Sequence, residues 1–341
     1  MNWLYPIATA AVSLILTFLL GYVVIPFMHK LKFGQTILDI GPRWHKNKQG
    51  TPTMGGFMFI IAGVLSIAAF LTSGLLLKYD VVYKATQEEY RLVSFLASVG
   101  MALLMSLIGF MDDYIKVVKK RNLGLTAKQK TLLQLLVGAA YLYSLYLGGM
   151  RTTWIPFAGA VPIDSGWGLF FWPIALIFIY GFTNAVNLTD GVDGLASAVT
   201  AVVALFFLFF ALRYPKYQLT AITAAALLGG CLGFLIWNHH PAKVFMGDTG
   251  SMFLGGMVVG LSFMLDRPIL LMLAGILYLG EALSVTIQVA YYKRTKKRLF
   301  KMSPIHHHFE LSGWSENKIV IVFSTVSLIG CLLAAALYYF A

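Results

Sequence analysis

Five of the 14 acidic residues fall where apolar sequence gives way to polar: Asp112 and Asp113 in GFMDDYIKVVKK, Asp190 and Asp193 in NAVNLTDGVDG, and Asp248 in VFMGDTGS. A carboxylate in or beside hydrocarbon is costly, and those that persist mark substrate paths, proton relays or ion sites. None of the five has a lysine one helical turn further into its apolar run. Oxygen donors of this kind suit a hard cation such as Mg²⁺, which takes one or two carboxylates together with phosphate oxygens and water. Singly, each aspartate also reads as a helix cap or a solvated loop residue. Together, at a common depth, they read as one site.

Three further stretches carry polar groups suited to the same chemistry. Asn184, Asn187, Asp190 and Asp193 recur every three residues, which puts neighbours on one side of a helix, with Gly191 and Gly194 loosening the backbone. The other reading of that pattern is a polar stripe between packed helices. NHHPAKVFMGDTGS gathers Asn238, His239, His240, Lys243, Phe245, Asp248, Thr249 and Ser251 in one expected loop; Phe245 is available to stack on a flat ring or to pack beneath the loop. SPIHHHFE supplies His306, His307 and His308, side chains that contact phosphate, shuttle protons, bind transition metals or order a loop. Cys231 and Cys331 lie inside apolar runs and read as small buried hydrophobes with no redox role.

The elements that must position these groups are membrane helices. The chain has 341 residues, 59% hydrophobic and only 12% charged, about half the charge of an ordinary soluble domain. Apolar stretches near the roughly 20 residues needed to cross a bilayer recur at 3–28, 53–74, 92–111, 131–148, 168–187, 194–212, 218–237, 251–265, 268–291 and 319–340. The sequence therefore predicts an all-α polytopic membrane protein of about ten transmembrane helices, in one domain covering 1–341. If the spans alternate, 19 of the 26 Lys and Arg residues lie on one side and 7 on the other. The positive-inside bias makes the first side cytoplasmic, with the candidate site on it and both termini periplasmic or extracellular. The first run lacks a basic n-region and reads as a retained helix. The segment 149–167, with Pro156, Pro162 and Gly166, reads as a hairpin on the opposite face.

A net charge of +12, concentrated on the cytoplasmic side by Lys30, Lys46, Lys48, Lys116, Lys119, Lys120, Lys128 and the basic residues of 293–301, would attract anionic solutes, although topology alone accounts for most of it. Carboxylates for a divalent cation, cationic groups for phosphates and a site at the bilayer edge suggest phosphoryl transfer to or from a lipid, chemistry that needs positioning and charge neutralisation above all. A transporter also uses intramembrane carboxylates, but near the midplane of paired repeats, and neither feature is evident here.

GTPTMGG at 50–56, GFMDDYIKVVKK, NAVNLTDGVDGLA, VFMGDTGS and SPIHHHFE, in that order, closely resemble the bacterial phospho-N-acetylmuramoyl-pentapeptide transferases, a branch of the polyprenyl-phosphate N-acetylhexosamine-1-phosphate transferase superfamily. The resemblance implies a Mg²⁺-dependent, ten-helix enzyme of the bacterial cytoplasmic (inner) membrane. Such an enzyme moves phospho-MurNAc-pentapeptide from UDP-MurNAc-pentapeptide to undecaprenyl phosphate, giving lipid I and UMP in peptidoglycan synthesis. It also implies a homodimer in the lipid bilayer and no nucleic-acid partner. By the resemblance, Asp112 and Asp113 fall on the family's acidic pair, Asp248 on its magnesium-binding aspartate, and His306, His307 and His308 on its histidine motif; these six are the candidate catalytic residues. Asn187, Asp190, Asp193 and Phe245 match its nucleotide pocket, and Lys116 and Lys130 its basic residues near the active site. Lys48 and Asn238 complete the candidate substrate-binding set. The near alternative is a sister transferase using UDP-N-acetylglucosamine.

Overall fold

The computed structural model describes residues 3–31, 50–77, 86–118 and 123–340. Its helices are α1 (Leu4–Lys30), α2 (Gly56–Leu76), α3 (Glu89–Val118), α4 (Ala127–Leu147), α5 (Phe171–Thr189), α6 (Leu195–Ala211), α7 (Gln218–Asn238), α8 (Gly247–Met264), α9 (Leu271–Ala274), α10 (Ile276–Thr295), α11 (Ile305–Glu310) and α12 (Glu316–Phe340). Two short strands, β1 (Thr152–Ile155) and β2 (Gly159–Pro162), pair antiparallel with Thr152 opposite Pro162. The fold is thus mostly helical, with a small hairpin in the stretch that the sequence marked by its prolines and glycines.

Among the described residues, α1, α2, α3, α5, α7 and α12 are each long and apolar enough to cross a bilayer, and the pair α9–α10 raises the number to seven if it counts as one span. That pair adds a bend the sequence did not show. The run at 268–291, read from sequence as a single span, is broken at Gly275 and bent by 75°. α6 is apolar but shorter. α8 is different in kind, because every residue from Thr249 to Met264 is buried. A helix with no outward face can carry glycine, serine and threonine where a lipid-facing one needs large apolar side chains.

α8 is the centre of the bundle, and its small residues explain how neighbours come so close. A Cβ on Gly256 would stand 2.7 Å from Ala102 Cα of α3, and one on Gly255 would stand 2.8 Å from Thr183 Cα of α5. On the α3 side, a Cβ on Gly109 would fall on the Asp248 carbonyl. Without a hydrophobic driving force between helices in lipid, such van der Waals contact and interhelical hydrogen bonding hold them together. At the far end of α3, Asp266 beyond α8 accepts two hydrogen bonds from Arg91, at 2.9 and 2.7 Å, and one each from the Tyr90 and Tyr217 hydroxyls. The α3–α8 pair is therefore clamped at one end by charge and closed at the other by Gly109.

Gly109→Ala should destabilise the detergent-solubilised protein by ~1–3 kcal/mol, the usual cost of overpacking. Gly100→Ala, on the same helix with nothing within 4 Å of the added methyl, should gain up to ~1 kcal/mol of helix propensity. Thermal unfolding of the two variants side by side checks this; equal melting temperatures would show that the close approach at Gly109 carries no weight.

Candidate active site

The apolar run ending at 111 does not end its helix there. α3 continues to Val118, so Asp112, Asp113 and Lys116 lie on its last turns and not at the start of a loop. Asp112 and Asp113 are only 4% and 5% exposed, a burial that carboxylates tolerate only with partners. Asp113 finds its partners at the start of α8. Its Oδ1 accepts the Asp248 N–H at 3.2 Å, and its Oδ2 accepts the Thr249 N–H at 2.9 Å and the Thr249 hydroxyl at 2.7 Å. α8 has no capping side chain of its own. Asp113 supplies that cap from another helix, where a negative charge also meets the positive end of the helix dipole. Gly247, at φ +71° and lacking a Cβ, leaves the room the carboxylate needs.

Asp112 faces the other way. Its Oδ1 accepts the Leu125 N–H at 2.8 Å and its Oδ2 meets Lys116 Nζ at 2.5 Å. A side chain on Gly124 would collide with this carboxylate. The same loop leads into α4, whose first turn is fixed by a capping box: Thr126 accepts from Gln129 N–H, and Gln129 accepts from Thr126 N–H. That turn carries Lys130 to Asp248.

Asp248 was expected in a loop, but the helix begins at Gly247, so the carboxylate projects from the first turn of α8. Its Oδ2 accepts from Lys130 Nζ at 2.8 Å and Lys116 Nζ at 3.1 Å, and its Oδ1 accepts from Asn187 Nδ2 at 3.0 Å. Oxygen atoms of Asp112, Asp113 and Asp248 all lie within 4.8 Å of one another. The lysines find their carboxylates one turn outward on α3 and across from α4, which is why no inward lysine marks them in the sequence. An all-oxygen donor set with Asp113 already committed to α8 leaves Asp112 and Asp248 facing the lysines. Such a set fits a hard divalent cation that uses one or two carboxylates.

The three-residue polar pattern on α5 does not survive as one face. The helix stops at Thr189, and the chain turns through 190–194, with Gly194 at φ +79°. Asn184 pairs with Gln134 of α4 at 2.8 Å, while Asn187 turns to Asp248 and to Ser251 Oγ at 2.7 Å. Asp193 belongs to a second cluster. Its Oδ2 lies 3.1 Å from His240 Nδ1 and accepts the Ala242 N–H at 3.0 Å, and its own N–H donates to Glu316 Oε2 at 3.0 Å. Glu316 Oε1 stands 3.3 Å from the same His240 nitrogen. The five aspartates are therefore not one set. Asp190, the residue that closes α5, has its carboxyl pushed well above the usual carboxylate range by burial, reinforced by the negative charges of Asp248, Asp113 and Asp193.

Backbone pairing brings GTPTMGG to VFMGDTGS. Phe245 N–H donates to Pro52 C=O at 2.9 Å, Gly55 N–H to Phe245 C=O at 2.8 Å, and Gly56 N–H to Met246 C=O at 3.1 Å. Phe245 itself is half-buried. Asn238 is 2% exposed, accepting from Gly194 N–H and donating to Val244 C=O. Of the histidines, His306 is buried beside Glu281, His307 Nδ1 lies 2.6 Å from Glu310, and His308 Nδ1 accepts the Lys301 N–H. Lys48 lies outside the described residues. Sequence reasoning missed Gln134, Glu281 and Glu316. Glu281 could have been found, since an ionisable residue inside an apolar span marks function by default.

Residues 95–266 match the profile of glycosyl transferase family 4. Over 336 residues, the chain is 43% identical to the phospho-N-acetylmuramoyl-pentapeptide-transferase of Listeria monocytogenes serotype 4b (strain CLIP80459), covering 98% of both chains. It is 43% identical over 326 residues to the protein of the same name from Halalkalibacterium halodurans, covering 96% of this chain and 95% of the relative. With the one from Heliobacterium modesticaldum it shares 44% identity over 339 residues, covering 99% and 97%.

Asp113→Ala strips acceptors from two amides and a hydroxyl at the start of α8. Its expected cost is ~1–3 kcal/mol for leaving buried donors unsatisfied, with Asp113→Asn recovering part of it through the retained carbonyl. Melting temperatures of the two variants and the parent decide the point, and an unchanged value for Asp113→Ala would remove the capping role.

Proposed function

The chain belongs to the phospho-N-acetylmuramoyl-pentapeptide-transferase family, and from that premise we propose that it moves phospho-MurNAc-pentapeptide from UDP-MurNAc-pentapeptide to undecaprenyl phosphate, releasing UMP and forming lipid I. It is a phosphoglycosyl transferase of a polytopic membrane protein type. The observation that carries the site assignment is the cluster of Asp112, Asp113 and Asp248 with Lys116 and Lys130 where α3, α4 and α8 meet. The finer arrangement goes with this reading: one domain of ten spans, with α4, α6, α8 and the bent α9–α10 among them, both termini periplasmic and the cluster on the cytoplasmic face of the inner membrane. A homodimer is the expected assembly.

In this reading Asp112 takes the proton from, or orients, the phosphate of undecaprenyl phosphate, whose oxygen attacks the phosphorus next to the sugar. Lys116 and Lys130 neutralise the phosphates of the two substrates, and Asp113 holds the α8 terminus so that Asp248 stays in reach of them. Asn187 and the 190–193 turn, with Phe245, border the nucleotide, and Lys48, Asn238 and His306–His308 belong to the surrounding substrate-binding and catalytic set. Asp248, with Asp112 beside it, would hold Mg²⁺. Bound there, it would supply Lewis-acid neutralisation of the pyrophosphate charge. Asp248 accepts from two lysines and Asn187, which spreads its charge and lowers its nucleophilicity toward phosphorus. Direct transfer is therefore preferred to a route through an aspartyl-phosphate.

Purified protein given UDP-MurNAc-pentapeptide, Mg²⁺ and undecaprenyl phosphate should release UMP only when the lipid is present. Asp248→Asn should lower the rate by about 10²-fold or more, the scale of losing electrostatic stabilisation in the transition state, and chelation with EDTA should stop turnover until Mg²⁺ is returned. Turnover with UDP-N-acetylglucosamine instead would move the chain to the sister branch, and flux across liposomes without UMP would favour a transporter.

A further inference from the structure

Glu281 is a carboxylate with 0% exposure on α10, and His306, on α11, is buried to the same degree. Glu281 Oε2 lies 3.1 Å from His306 Nδ1 and 3.5 Å from the His306 backbone nitrogen. The remaining polar atoms of the pair, Glu281 Oε1 and His306 Nε2, are both buried without a hydrogen-bond partner. Buried polar atoms almost always find partners, so an orphan at both ends of one pair calls for a reason.

At the far edge of the imidazole lies the turn that follows α5. A Cβ on Gly191 would fall on His306 Nε2; the ring occupies the space that a side chain would take on the turn running from Asp190 to Asp193. That turn ends α5, carries two of the candidate nucleotide-pocket carboxylates, and supplies Asp193 to the Asp193–His240–Glu316 cluster. A neutral imidazole has one N–H and one lone pair. With a carboxylate at Nδ1, the proton belongs there, and the lone pair is left on Nε2 against the turn.

We propose that Glu281 is a positioning residue for the nucleotide pocket: it holds His306 as the Nδ1–H tautomer, so that the ring seats the Asp190–Gly191–Asp193 turn. The same carboxylate–histidine pairing orients imidazoles in catalytic triads and behind metal-bound histidines; here it buttresses a loop. Glu281 touches no substrate in this arrangement, and its effect reaches the nucleotide only through His306. The inference rests on the transferase reading for the identity of the pocket, while the tautomer and the contact with Gly191 stand apart from it.

The test uses the full-length protein in detergent. Glu281→Leu should raise the KM for UDP-MurNAc-pentapeptide about tenfold, short of the ~10²-fold that a full ångström of misplacement can cost, and leave the KM for undecaprenyl phosphate unchanged. Glu281→Gln keeps a carbonyl acceptor for Nδ1–H and should restore the donor KM to within about threefold of the parent. Combining Glu281→Leu with His306→Ala should be no worse than His306→Ala alone, as expected when one residue acts through the other. Gly191→Ala, which pushes on the ring from the other side, should raise the same KM. Nitrogen-15 spectra of histidine-labelled parent protein, with His306→Ala assigning the resonance, should show His306 protonated at Nδ1. Full additivity of Glu281→Leu and His306→Ala, parallel loss for both substrates, or a proton on Nε2 would overturn the proposal, and the spectra and Gly191→Ala still decide it if Glu281→Leu does not fold. Parent protein that turns over no donor would overturn the transferase reading, leaving the spectra to judge the Glu281–His306 pair.

Discussion

The site depends on one carboxylate acting across a helix interface. Asp113 sits near the end of α3 and satisfies the first amides of α8, so the end of one helix and the beginning of the other are the same structural point. Everything else follows from that junction. It fixes the direction of Asp248, brings Lys116 of α3 within reach of it, and leaves the neighbouring Asp112 free to turn toward the loop at Leu125 and Gly124. Two adjacent residues on a helix point about 100° apart, which is why Asp112 and Asp113 take different partners despite being neighbours.

Close helix packing makes the junction possible. α8 can present its terminus to α3 because Gly109 removes the side chain that would strike the Asp248 carbonyl, and Gly256 does the same for Ala102 deeper in the bundle. A helix wrapped on all sides by protein needs small residues and internal hydrogen bonds more than it needs hydropathy. That is the reason the helix at the centre of the bundle can carry glycine, serine and threonine along its length.

Charge is then balanced locally. Three carboxylates within 4.8 Å would repel strongly if left alone, and the structure answers with two lysines, an asparagine and a helix terminus. In the proposed reaction such an arrangement has a use, because the cations that quiet the carboxylates would also meet the incoming phosphates. Elsewhere imidazoles take the place of the lysines: His240 stands against both Asp193 and Glu316, and His306 against Glu281.

Composition and motif order determined the class of molecule, the family, and the residue types of the site, because hydropathy and short motifs are local properties written in consecutive residues. The helical stretches were legible for the same reason. Partnerships were not. Nothing near Asp113 in the chain announces that its acceptors serve Thr249, 136 positions away, and nothing near Asp193 announces Glu316. The regular spacing of Asn184, Asn187, Asp190 and Asp193 suggested one face, but a helix end after Thr189 sent those side chains to separate partners. The bend at Gly275 was hidden inside a continuous apolar run, since hydropathy does not register direction. Sequence by itself specified which groups the membrane would have to accommodate; only the tertiary structure decided which of them meet, because burying a charge is permitted solely where the fold brings a partner to it.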